Sequence, residues 1–177
     1  MGWLGVCLIF VGIALFSNGI SAIIKMDGKS TAFINAVTGL VIVAGNFISL
    51  GKADFTNTVL YNNTAAGFLF GFTYLFIAAN YIFKLDLRAF GWYSVCVAVF
   101  AAISAAVCFS DAANGYAGAL PLGCLWTAWA VLWLEGFLEL SCGIKALGRI
   151  FPALSILEGI FAAFLPAIAM LFGVWTL

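Results

Sequence analysis

"LWTAWAVLWLEGFLE", Leu125 to Glu139, sets three tryptophans and two glutamates along a stretch with no proline and no positive charge. At 100° per residue, Trp126, Trp129 and Trp133 fall within about 60° of one another, with Leu122 and Phe137 beside them; Glu135 and Glu139 fall nearly opposite. A rise of 1.5 Å per residue spreads the three indoles over roughly 10 Å of a helix axis. A single interfacial aromatic belt is too thin to hold all three. The stripe therefore lines a pathway or fills a core. The two glutamates are expected to bond to an adjacent helix or subunit, with a pore role as the alternative.

The rest of the chain is as apolar as this stretch. Of 177 residues, 66% are hydrophobic, with seven basic and seven acidic side chains and a mean hydropathy of +1.19, far from the quarter-charged composition of soluble domains. A hydrocarbon core about 30 Å thick needs roughly 20 apolar residues per helix. The charges cut the chain into six such stretches, approximately 3–24, 32–51, 64–83, 90–110, 121–144 and 152–175. The expected fold is an all-α integral membrane protein: one six-helix transmembrane domain spanning residues 1–177, with no soluble part to bind nucleic acid. The first stretch has no preceding basic residue and no small-residue cleavage site, so it reads as a retained helix, not a signal peptide.

Cys7, Cys96, Cys108, Cys124 and Cys142 form no C-x-x-C pair, and there is no histidine to share a metal. They read as small apolar core residues, and no metal or cofactor is expected. An enzyme is not expected either: Ser17, Ser21 and Ser141 have no evident basic neighbour to activate them.

Of the seven basic residues, six (Lys25, Lys29, Lys84, Arg88, Lys145 and Arg149) lie in the first, third and fifth connections, and only Lys52 lies in the second. The positive-inside rule makes the odd connections cytoplasmic and turns both termini outward. "KMDGKST", "KLDLRAF" and "KALGRIF" each pair a lysine with a second base four residues later, and their leading lysines lie 59 and 61 residues apart. That spacing suggests a helical hairpin repeated three times around a hole in each subunit; chance similarity among cytoplasmic loops is the alternative. Asn62, Asn63 and Thr64 read as caps for the third helix, and Pro121 sits in the first turn of the fifth. Gly67-x-x-x-Gly71 and the Ala98, Ala102, Ala106 series are small-residue packing surfaces.

Other helices carry matching faces. Leu8, Val11, Leu15 and Asn18 form an apolar track ending in an amide, and Phe70, Tyr74 and Tyr81 share one side of the third helix. Glu158, in "ILEGIF", lies about 10 Å from the near end of the sixth helix. An ionisable group inside a bilayer costs several kcal/mol unless it meets a polar cavity or a partner. Glu158 is therefore the strongest single candidate, the alternative being a carboxyl satisfied by a neighbouring helix.

"VGIALFSNGI", "GFLFGFTYLFIAANYIFKLDLR", "WTAWAVLWLEGFLE" and "ILEGI", in this order and with short loops, closely resemble the AmiS/UreI family of urea and short-chain amide channels. The resemblance implies a homo-hexamer in the bacterial inner membrane, each protomer with its own pore. It implies an outer constriction at Leu8, Val11, Phe70, Trp126 and Trp129, and an inner one at Leu15, Asn18, Tyr74, Trp133 and Glu158. Urea or a short-chain amide would be the permeant, and a cytosolic amidase or urease the metabolic companion. The acid-gated members carry histidines in a longer first outer loop; this chain has none, which points to the amide branch without acid gating. The alternative is a proton-coupled transporter of small amides using Glu158.

Overall fold

The computed structural model describes residues 2–52 and 56–175; Ala53, Asp54 and Phe55 of the second connection lie outside the described residues. These residues form α1 (Gly2–Ile24), α2 (Gly28–Gly51), α3 (Thr58–Phe83), α4 (Leu87–Ala113) and α5 (Ala119–Leu140). A 3₁₀ turn (Leu147–Arg149) then leads into a broken sixth span: α6 (Phe151–Glu158), a π-helical turn (Gly159–Phe164) and α7 (Leu165–Leu171). Among the described residues six helices are long and apolar enough to cross a membrane. Residues Met1–Lys25 with Asp86–Leu177 form one compact unit, and Met26–Leu85 form another.

The smaller unit is the α2–α3 hairpin. Thr31, Asn35, Thr38 and Asn46 are buried along α2, a polar stripe that hydropathy conceals. Asn35 Nδ2 donates to the Thr31 carbonyl and Asn46 Nδ2 to the Ile42 carbonyl, both at 2.8 Å, so these amides are satisfied by their own helix. The Gly67-x-x-x-Gly71 pair packs within this hairpin: Gly67 lies against Asn46, and a Cβ on Gly71 would meet Val43 Cγ2 at 2.6 Å.

The larger unit holds two seams, α4 against α5 and α1 against α6, the π turn and α7. In the first, Trp92 meets Phe137 with ring centroids 5.1 Å apart, and Ser141 Oγ donates to the Arg88 carbonyl at 2.9 Å. Ala98, Ala102 and Ala106 line an open apolar groove of about 470 Å³ with Thr127, Ala130 and Val131.

Three boundaries and the cysteines differ from the sequence reading. The α3 cap is Asn57, whose side chain accepts the Leu60 N–H at 3.0 Å. Thr64 lies inside the helix, bonded to the Leu60 carbonyl; the polar first turns of α3 are invisible to a hydropathy window. The fifth helix stops at Leu140, where Ser141 and Cys142 N–H groups both return to the Phe137 carbonyl and Gly143 turns left-handed at φ +76°. The sixth span is broken by the π turn, and its helical part ends at Leu171. Of the cysteines only Cys7 is buried; Cys96, Cys124 and Cys142 are exposed on the protein surface.

The first two basic loops share a local geometry. Lys25 and Lys84 both adopt left-handed conformations, at φ 54° and 55°. Two residues later, Asp27 and Asp86 cap the next helix by accepting the Ser30 and Arg88 N–H groups. The third loop departs: Leu147 stands where the aspartates stand, and a 3₁₀ turn replaces the cap.

Candidate functional site

The larger unit contains eight of the ten residues singled out from sequence. On α1, Leu8, Val11, Leu15 and Asn18 are all buried, because the glycines beside them bring α6, the π turn and α7 against this face. On α5, Trp129 and Trp133 are buried, 2% and 8% exposed, and Trp126 is half-buried. Trp126 packs edge-on against Trp129, centroids 4.9 Å apart and planes at 83°, with Phe100 of α4 a further 6.0 Å from Trp126. Two of the three indoles of the stripe thus pack on each other, and the third is buried one turn further along α5.

Glu158 closes α6 and is 6% exposed. Its Oε2 has no hydrogen-bond partner among the described residues. The π turn begins at the next residue. Its cause lies ahead in sequence: Pro166 has no N–H to offer the Ala162 carbonyl, and its ring would crowd that carbonyl in a regular helix. A wider turn relieves both, and such turns commonly mark functional positions.

Phe70 and Tyr74 belong to the smaller unit, where both are buried on α3.

Glu135 departs from expectation. It is 5% exposed, yet neither carboxylate oxygen finds a hydrogen-bond partner among the described residues, so the expected bond to an adjacent helix is absent. Glu139, one turn on, lies with its carboxylate against Gly148 of the 3₁₀ turn. No group of three or more metal-ligating side chains occurs among the described residues.

Sequence reasoning missed Ser155. It is fully buried on α6, and its Oγ donates to the Leu15 carbonyl of α1 at 2.8 Å across 140 residues of chain. The glycines at 5, 12 and 19, spaced by seven, were the readable signal that a second backbone would approach there.

The AmiS/UreI family transporter profile matches residues 3–174. The chain is 36% identical to the acid-activated urea channel of Helicobacter pylori, over 97% of its own length and 99% of the relative's. It is 32% identical to a putative amidate substrates transporter protein of Mycolicibacterium smegmatis, over 97% of its length and 78% of the relative's. The cryo-EM structure of the Helicobacter pylori urea channel in its closed state superposes with a TM-score of 0.85 at 37% identity, covering 98% of this chain and all of that one. With the six spans, these matches make the molecule a multi-pass membrane protein, and the chain belongs to the AmiS/UreI family of transporters.

Proposed function

We propose that the chain is a passive channel for small neutral planar amides such as urea, acetamide and formamide, each protomer carrying its own conduit within a homo-hexamer. The observation that carries this reading is the joint burial of aromatic and polar side chains on facing helices: Trp129, Trp133, Leu15, Asn18 and Glu158 in a chain otherwise built to face lipid. The curated relatives support the substrate class, being a urea channel and an amidate transporter by name.

A small amide crosses lipid slowly because leaving water without replacement hydrogen bonds costs roughly 2 to 7 kcal/mol per polar group. Ring faces of Trp126, Trp129 and Trp133 form a wall for a flat guest, and Asn18 and Glu158 exchange hydrogen bonds with it. Ions are refused because an apolar constriction does not replace their hydration shells. The channel is not acid-gated from outside: with no histidine, no side chain has an ordinary pKa between neutral and mildly acid pH. Both termini face outward in the bacterial inner membrane, and a cytosolic amidase or urease consumes what enters.

A second reading is favoured by one feature: the sixth span is interrupted directly after Glu158, as transporter helices are at their binding sites. In that reading Glu158 couples amide movement to protons. Stopped-flow light scattering of proteoliposomes given urea, acetamide and glycerol, with and without a proton gradient, separates the two. Non-saturating flux of the amides, indifferent to the gradient, is the channel's signature; saturation or coupling identifies the transporter.

A further inference from the structure

The seam between α1 and the broken sixth span has a register that can be counted. A Cβ built on Gly19 would lie 2.6 Å from the Pro152 carbonyl oxygen, one on Gly12 2.8 Å from that of Gly159, and one on Gly5 3.5 Å from that of Ala167. Three carbonyls of the sixth span thus sit over three glycines of α1, too close at Gly19 and Gly12 to admit any side chain. Along α1 the steps are seven and seven residues; along the sixth span they are seven and then eight. The longer step contains the π turn, Gly159–Phe164. A π turn takes in one extra residue, so eight residues there keep pace with seven on the facing helix.

Close backbone approach sets the distance between these helices but resists sliding weakly, since glycine faces are smooth. A directional contact crosses the seam: Ser155 Oγ donates to the Leu15 carbonyl, midway between the Gly19 and Gly12 rungs. Ser155 stands one turn before Glu158, and Leu15 one turn before Asn18 along α1. We infer that Ser155 is a positioning residue which, resting on the channel reading above, holds the Leu15–Asn18 face in register with Glu158 and so sets which amides pass the inner constriction.

The test compares Ser155→Ala and Ser155→Cys with the parent chain in proteoliposomes, reading formamide and acetamide flux together. A role confined to folding lowers the number of working channels and scales both permeants equally, so the ratio of the two fluxes reports positioning. Loss of the hydroxyl is expected to change that ratio about threefold or more, as loss of a buried hydrogen bond does to a rate-determining contact. Ser155→Cys, which keeps a weak donor, should fall between, and it carries the test if the alanine variant does not accumulate. An unchanged ratio in the cysteine and alanine variants, with parent flux intact, overturns the positioning role and leaves the channel reading standing. Absence of amide flux through the parent chain overturns both.

Discussion

Within the larger unit, the two helix seams differ in how much of their length is close backbone contact. Where α1 meets the sixth span, backbones touch through Gly5, Gly12, Gly19 and Gly159, a serine crosses to a carbonyl, and a carboxylate is buried without a partner for one of its oxygens. Where α4 meets α5, aromatic rings and alanines fill the space, and a groove of about 470 Å³ stays open on the apolar side. In lipid there is no hydrophobic drive to bring helices together, so close small-residue packing and polar contacts hold a seam that must be rigid. The α1 seam is built that way along its length; the α4–α5 seam has one such bond, Ser141 Oγ to the Arg88 carbonyl near its end, and α5 buries Glu135. The α4–α5 pair shows small residues outward and suits contact with other helices.

The largest effect that would break this contrast is expected at the proposed path. Trp133→Ala and Glu158→Gln should each lower amide flux about tenfold, equivalent to about 1.4 kcal/mol of barrier, with oligomer size by native mass spectrometry unchanged. Swelling rates equal to the parent's in both variants would mean the inner constriction lies elsewhere.

Next comes the packing itself. Gly12→Ala sets a methyl 2.8 Å from the Gly159 carbonyl and from Phe164 Cβ and N, atoms that cannot turn aside, and should cost about 1–3 kcal/mol. The matched change on the other seam, Gly123→Ala, meets the Phe109 ring edge first, and Phe109 is an exposed side chain that can give way. Its cost should stay below about 0.5 kcal/mol. Thermal unfolding in detergent compares them, and equal costs would dissolve the distinction between the seams.

Much of this was legible in the sequence because the bilayer imposes it. The six spans, the tryptophan stripe and the depth of Glu158 follow from length, period and rise. Pro121 fell in the first turn of α5 as read. What stayed hidden depends on contacts across the chain. Ser155 looks like any small residue of a transmembrane helix until Leu15 is placed beside it. The π turn needs Pro166 and the α1 register together. The buried stripe Thr31, Asn35, Thr38 and Asn46 was overlooked because a mean hydropathy averages polar residues away, while a helix can satisfy their side chains from its own carbonyls. The missing bond of Glu135 within its own chain was hidden because a helical wheel tells direction and not what waits there.

The groove offers a smaller effect of a different kind. Ala102→Phe fills exposed space on α4 without touching the α1 seam. Flux per protomer should remain within about twofold, while native mass spectrometry should show a weakened or altered assembly. A loss of flux with assembly intact would place the path on the wrong seam.

The smallest expected effect lies in the loops and sharpens the repeat. Asp86 caps α4 through the Arg88 N–H and is gripped by the Arg88 side chain, Nη2 to Oδ2 at 2.6 Å. That side-chain bond, then the backbone bond, holds its carboxyl down at about 2. Asp27 is lowered likewise, chiefly by the Ser30 N–H at the α2 cap. A carboxyl whose folded value is depressed adds stability that is fully present above its ordinary value near 4 and is lost as pH falls through the folded one. Protection of the first α4 amides against hydrogen exchange should therefore be level above about pH 4 and decline toward pH 2. Asp86→Asn should flatten that dependence. Both caps are exposed and water-screened, so the change should stay local and leave global unfolding untouched. The start of α6, where Leu147 occupies the aspartate's place in the repeat, should show no such decline; if it does, acid is loosening the helix ends in general and the caps are not its cause.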